Sequence, residues 1–362
     1  MSGRVIALAL LLLATLALAV QQARAEPHFA VQEGLKCAQC HVNPAGGGLR
    51  TPFGNAWARN TLAAEPAGDD AWTGTVNRFL ATGGNLRSNA TYTDIPNRDN
   101  RSDFELQELR LYLDFTPLPQ RLGVYIDQQF APGGGTNREA FVRYTFNDSR
   151  WTLQAGQFYL PHGLRLEDDG AFVRQVPGIN FRTPDRGVQL GWEHDAWSTQ
   201  LAVSNGTAGA PDPGRGKQFS LRTEHVNARW RLGGSFNFND TETGPRRMQN
   251  LFAGLRTGPV AWLGQVEHIN DASLVDARRR QLIGLIEANW TMQRGHGLKL
   301  TVEYLDPDTD IDENERNRYS LVWEYTPIPF MQLRTGLRVY DGIPQDDLQN
   351  RRHAFVQLHG FF

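Results

Sequence analysis

Cysteine is nearly absent from this 362-residue chain, which holds only two. A disulfide-stapled scaffold is therefore excluded. Charge of either sign is not in excess: 37 basic against 39 acidic side chains leave −2, so no global basic field exists to recruit nucleic acid. Apolar residues are thin at 40%, below the ~45–50% of ordinary globular domains. That argues against a large water-soluble α/β enzyme. Beyond the first 25 residues no stretch approaches ~18 consecutive apolar residues, the length of a spanning helix. What the chain has in abundance is glycine, 36 residues, or about one in ten against a typical ~7%.

The N-terminus reads as an address. Arg4 precedes the apolar run Val5–Val20, and Ala23-Arg24-Ala25 supplies a small-x-small cleavage pattern. This is the layout of a secretory signal peptide over residues 1–25, with Glu26 as the mature start. The run is shorter than the ~20 residues a membrane anchor needs. Export places the two cysteines in an oxidising compartment.

Both cysteines fall in one motif. Cys37-Ala38-Gln39-Cys40-His41 is C-x-x-C-H, the pattern for covalent c-type haem attachment. Two thiols one turn apart add to the two porphyrin vinyl groups, and the following imidazole reaches the iron from the proximal side. Zinc would want four ligands, and no second Cys/His pair stands at metal spacing. A redox dithiol would want a βαβ context. We therefore expect one covalent haem c on Cys37 and Cys40, with His41 as proximal iron ligand. For the sixth position Met or His is usual. Residues 26–71 contain no Met, and the only other histidine there is His28. His28 is the first choice for distal ligand; a histidine from the rest of the chain, or an open position, stays in contention. Pro44, Gly46-Gly47-Gly48 and Pro52-Phe53-Gly54 punctuate the segment with turns. A haem segment of residues 26–72 is too small to bury a porphyrin in its own core, so it must lean on something else.

From residue 73 to 362 the hydrophobic period is two. Leu109, Leu111, Leu113 and Phe115 alternate with Glu108, Arg110, Tyr112 and Asp114, and Leu298, Leu300 and Val302 alternate with Lys299, Thr301 and Glu303. Strands of about ten residues, apolar on one face and charged on the other, mark a transmembrane β-barrel. A soluble antiparallel sandwich also alternates. Aromatic residues near strand ends on the apolar face (Trp151, Trp192, Trp197, Trp230, Trp290, Trp323) favour the membrane. Connections alternate in length as well. Tight ones are expected near 116–120, 147–150, 194–196, 226–228, 257–259, 291–295 and 326–330. Long ones are expected near 83–103, 131–137, 160–185, 205–216, 240–246, 270–278, 306–315 and 341–350. Seven plus eight connections make 15, hence an all-β, 16-stranded antiparallel barrel, within a range of 14–18. An even count puts both ends on the periplasmic side, with the haem segment at the periplasmic mouth or in the lumen. The terminal Phe361-Phe362 resembles the signal read by the outer-membrane barrel-assembly machinery.

With the apolar parity outward, the lumen receives Glu108, Arg110, Asp114, Asp127, Arg143, Arg222, Glu224, Arg229, Arg231, Arg256, Glu287, Lys299, Glu303, Glu324, Arg334 and Arg338. Counting back from an outward Phe362 puts His353 and His359 inward too, His359 near the haem end. The connection 161–184 has the length of an inward-folded constriction loop, with an exposed cap as the alternative. The acidic run Asp306, Asp308, Asp310, Asp312, Glu313 and Glu315 lacks the Gly and final Glu of an EF-hand and reads as a solvated outer loop.

The order signal peptide, C-x-x-C-H segment, barrel resembles the outer-membrane fused monohaem cytochrome–porins, whose best-known members oxidise extracellular iron. The similar residues are Pro27-x-Phe29-Ala30, Gly34, Cys37-x-x-Cys40-His41, Pro44 and Phe53-Gly54; Gly46-Gly47-Gly48 departs from the pattern. The resemblance implies electron passage across the outer membrane between an extracellular donor or acceptor, iron among them, and a periplasmic cytochrome or other redox partner. It implies at most an outer-sphere haem oxidoreductase. The alternative is a diffusion porin with a structural or redox-sensing haem. A haem peroxidase is third, with no acid/base residues to place.

Overall fold

The computed structural model describes residues 26–68, 71–211, 214–274 and 278–362. The expected signal peptide, 1–25, lies outside the described residues. Among those described, no helix is long and apolar enough to cross a membrane; the crossing elements are strands.

After a three-residue strand, β1 (Thr75–Asn77), sixteen strands form the wall. They are β2 (Leu80–Asp94), β3 (Arg101–Leu118), β4 (Leu122–Ala131), β5 (Thr136–Phe146), β6 (Trp151–Phe158), β7 (Asp185–His194), β8 (Trp197–Ser204) and β9 (Gln218–Val226). They continue as β10 (Trp230–Thr241), β11 (Gly244–Thr257), β12 (Val260–Asp271), β13 (Arg279–Gln293), β14 (His296–Asp306), β15 (Arg316–Ile328), β16 (Met331–Asp341) and β17 (Arg352–Phe361). Each pairs antiparallel with the next, and β17 pairs with β2 from Arg352↔Asp94 to Phe361↔Asn85, closing the ring. Closure removes every strand edge, so each backbone N–H and C=O at membrane depth has a ladder partner.

All seven tight turns fall where the period-two pattern breaks. Two of the expected long connections do not. Residues 83–94 belong to β2, leaving only 95–100 as the link to β3. Gly83, Gly84, Asn85, Ser88 and Asn89 look like a loop because they are poor strand formers. The closing seam makes them a strand. A Cβ on Gly83 would lie 2.5 Å from the Phe362 carbonyl oxygen, Gly84 exchanges both backbone hydrogen bonds with Phe362, and Asn89 bonds Glu105, Gln107 and Gln357. Likewise 240–246 is no long loop: β10 and β11 run through it to a two-residue turn, with Asp240↔Pro245 and Thr241↔Gly244 paired.

Parity is as the alternation requires. Leu111, Leu113, Val142, Leu251, Ile286, Leu300 and Val302 are exposed on the outer face, while Asp127, Glu224, Arg231, Glu303, Arg318 and Glu324 are buried inside. Arg229 is the exception among the expected lumen charges. It falls in the turn 227–229 after β9, where the strand alternation no longer applies, and is exposed.

The 159–184 connection folds into the lumen and carries a short helix (Phe172–Gln175). Gly163 N–H donates to Ser235 Oγ (2.7 Å), Leu164 N–H to Gln265 Oε1 (2.7 Å) and Phe172 N–H to Glu303 Oε2 (2.7 Å). It therefore crosses to β10, β12 and β14, and Leu160, Leu164, Leu166, Phe172, Val173 and Ile179 form its buried apolar side.

Candidate cofactor site

The N-terminal segment is built from three short helices, α1 (Pro27–Glu33), α2 (Cys37–Cys40) and α3 (Pro52–Trp57). Pro27 opens α1 at its first turn, where a missing N–H costs nothing. Lys36 caps α2, and its N–H donates to Gln39 Oε1 (2.8 Å). His41 leaves α2 in extended backbone, donates its N–H to Cys37 O (3.0 Å) and pairs with Arg50 across a hairpin of residues 41–50. Pro52-Phe53-Gly54 begins α3 rather than a turn, because Thr51 Oγ1 accepts from Gly54 N–H (3.1 Å) as an N-cap.

None of these helices is long enough to be stable alone; the barrel holds them. Arg256 Nη1 donates to Gln32 O (2.6 Å) and Arg231 Nη2 to Leu35 O (3.3 Å). Lys36 Nζ meets Glu193 (2.9 Å), Gln200 Nε2 donates to Pro44 O (3.2 Å) and Asn43 Nδ2 to Glu139 Oε1 (2.6 Å). Arg294 Nε donates to Ala63 O (2.7 Å), and Ala64 N–H to Thr326 O (2.8 Å). Glu26 pairs with Lys299. Most of these anchors lie beside the tight turns, so the segment plugs the short-turn end of the lumen. At Gly48 (φ +65°) the hairpin is pressed against the wall: a Cβ would lie 2.2 Å from Tyr125 Oη, which accepts Leu49 N–H at 3.0 Å.

Cys37, Cys40 and His41 converge on one narrow slot of about 50 Å³, walled by Phe29, Ala30, Leu35, Ala45, Trp57 and Leu164. That is below the ~300–1,000 Å³ typical of ligand sites, so it is the donor set and not the volume that speaks for a ligand. Both thiols are free. Burial pushes both up, Cys40 to about 11, the opposite of the thiolate-stabilising setting a redox dithiol needs. An apolar slot, two unbonded thiols one helical turn apart and an adjacent imidazole fit a covalently held macrocycle with iron.

His28 is placed differently. It is buried in α1 with Nδ1 3.3 Å from Glu26 Oε2, close to Glu287 on the wall, and is not among the residues lining the slot. His359 lines the larger neighbouring cavity with His41 and His353, held by Gln332 Oε1 (3.3 Å) and Asn85 Oδ1 (3.4 Å).

That second cavity, about 730 Å³, runs along the β2–β5 and β16–β17 side of the lumen. Eight arginines (50, 87, 110, 138, 165, 182, 334, 338) and six carboxylates (26, 105, 108, 167, 168, 169) line it. His41, Gly47 and Arg165 line both cavities. Sequence reasoning passed over Arg50, Trp57, Tyr125 and Glu139, whose partners lie far away along the chain, as with Asn43 and Glu139 96 residues apart. Local pattern carries no signal for such contacts.

Comparison with known proteins bears on the wall. The family model for phosphate-selective porins O and P matches residues 80–297, starting beyond the C-x-x-C-H motif. No curated protein matches. Among solved structures, a loop-L8 deletion form of the outer-membrane protein OmpT of Vibrio cholerae is similar with a TM-score of 0.65 at 10% identity, covering 78% of this chain and 99% of that one. An anion-selective porin from Comamonas acidovorans is similar at 0.62 and 12%, with 78% and 99% covered. A porin mutant of Rh. blastica gives 0.55 and 12%, with 78% and 100% covered.

Proposed function

The chain belongs to the phosphate-selective porin O and P family, and on that footing we propose that it is an outer-membrane diffusion porin whose periplasmic mouth carries a covalent haem c. The cavity on the β2–β5 side supports this: it is polar, lined by eight arginines and six carboxylates, and reaches His41. The phosphate-selective family that the wall matches points to anions as the solutes. Loop 159–184 narrows the path from within and the N-terminal segment from the periplasmic end. Cys37 and Cys40 would hold the porphyrin, and His41 would ligate the iron. Phe29, Leu35, Trp57 and Leu164 would exclude water from its faces. Bound there, haem c supplies one-electron outer-sphere chemistry. Planar-bilayer recording tests the porin: anion-selective conductance is expected, and cation selectivity or a silent barrel would refute it.

A second reading, electron passage across the outer membrane, is favoured by one observation. His41 and Arg165 line both the slot and the large cavity, so a donor in that cavity would come close to the haem site. One haem does not bridge ~30 Å of hydrocarbon, so this reading needs a periplasmic cytochrome on the inner side. Purified protein in liposomes, with an impermeant reductant outside, separates the two. Haem reduced from outside supports the conduit; haem inert from both faces leaves the porin alone.

A further inference from the structure

The arginines of the large cavity are not equivalent. Arg87 pairs with Glu167, Arg110 with Asp127, Arg182 with Asp169, Arg334 with Glu324 and Arg338 with Asp168. Arg138 donates twice to Gln129 Oε1. Arg50 and Arg165 remain, and among the described residues neither forms an ion pair with a carboxylate. Arg50 Nε is buried without a hydrogen-bond partner, its guanidinium lying 4.7 Å over the Phe361 ring. Arg165 uses Nη1 on Gly46 O (2.7 Å), leaves Nη2 buried without a partner, and sits between the Tyr159 and Phe181 rings at 4.4 and 5.0 Å.

Both adjoin the C-x-x-C-H motif through the 41–50 hairpin that follows it. Arg50 is paired through its backbone with His41, and Arg165 bonds the hairpin tip and lines slot and cavity alike. Buried cations without counter-charge are costly, and guanidinium groups match carboxylates with two parallel donors. A c-type haem brings two carboxylates, its propionates, at the edge remote from the thioether-forming vinyls.

We infer that Arg50 and Arg165 are the propionate-binding residues of this protein, taking the two haem carboxylates where the apolar slot opens into the polar channel. The inference rests on the haem reading above. It names residues whose partner in the holoprotein is the cofactor rather than the wall.

The test is the midpoint potential of full-length holoprotein in detergent, normalised to covalent haem. Arg50→Gln and Arg165→Gln should each lower the midpoint, because a lost positive charge beside the haem favours the oxidised iron. Arg50→Lys and Arg165→Lys should retain most of the native value. Should Arg165→Gln fail to assemble, Arg50→Gln carries the test alone. An unmoved midpoint in Arg50→Gln overturns the assignment. So does a wild-type midpoint that shifts with added inorganic phosphate at fixed ionic strength and stops shifting in the variants; the cations would then serve a free anion. Wild-type protein without covalent haem would instead sink the haem reading itself.

Discussion

The barrel wall and the segment inside it are specified in opposite ways. The wall has sixteen strands, each laddered on both sides, and its shape persists among outer-membrane proteins at 10–12% identity. It needs only alternation, with lipid as the solvent for one face and charge pairs for the other. The segment has helices of seven, four and six residues and few of the contacts that hold it are its own. Its buried Phe29, Val31, Leu49 and Leu62 pack within a lumen already made. Pattern specifies the wall, and individual residue identity specifies the plug. The two should therefore fail separately.

The largest separation comes from the thiols. Cys37→Ser with Cys40→Ser should abolish covalent haem completely while the barrel still assembles, seen as lost haem stain with retained heat-modifiable mobility on a gel. A double variant that cannot assemble would mean haem attachment and wall formation are one event. Removing residues 26–68 comes next. The short-turn mouth loses its plug, and single-channel conductance should rise several-fold with strand content unchanged. Equal conductance would show that loop 159–184 alone sets the constriction.

This division also explains what could be read in advance. Sixteen strands, the seven tight turns and the lumen parity of Arg110, Glu224 or Glu324 were legible because period-two alternation is local. The misread stretches, 83–94 and 240–246, are places where a distant partner overrides weak propensity. Gly83 and Gly84 are strand because Phe362, at the other end of the chain, lies against them. The spacing singled out Cys37, Cys40 and His41 together, and the structure brings all three to one slot. Nothing local told that α1 turns His28 toward Glu26 and Glu287, or that Arg165 of a far loop reaches Gly46, 119 residues away.

Gly48→Val should act on the plug alone, and less severely. A non-glycine residue at φ +65° carries strain of about 1–3 kcal/mol, and its side chain overlaps Tyr125 Oη, a further ~1–3 kcal/mol. The hairpin 41–50 should lift from the wall, raising protease cleavage within the segment while the thermal transition of the barrel stays in place. A lowered barrel transition would place the hairpin in the folding core of the wall.

Tyr125→Phe is the smallest and sharpest probe. Tyr125 is 0% exposed, and its hydroxyl accepts Leu49 N–H at 3.0 Å. Its ring stays in contact with Phe141 at 5.1 Å in either variant, so the substitution removes one acceptor and little packing. Leu49 is buried, so its N–H is left without an acceptor, and the loss should be about 1–3 kcal/mol. If the hairpin opens independently of the barrel, the Leu49 amide should exchange at least roughly fivefold faster, while ladder amides on β4 and β5 keep their protection. If β4 and β5 lose protection with Leu49, segment and wall form one cooperative unit, and the contrast between them would hold for sequence but not for energetics.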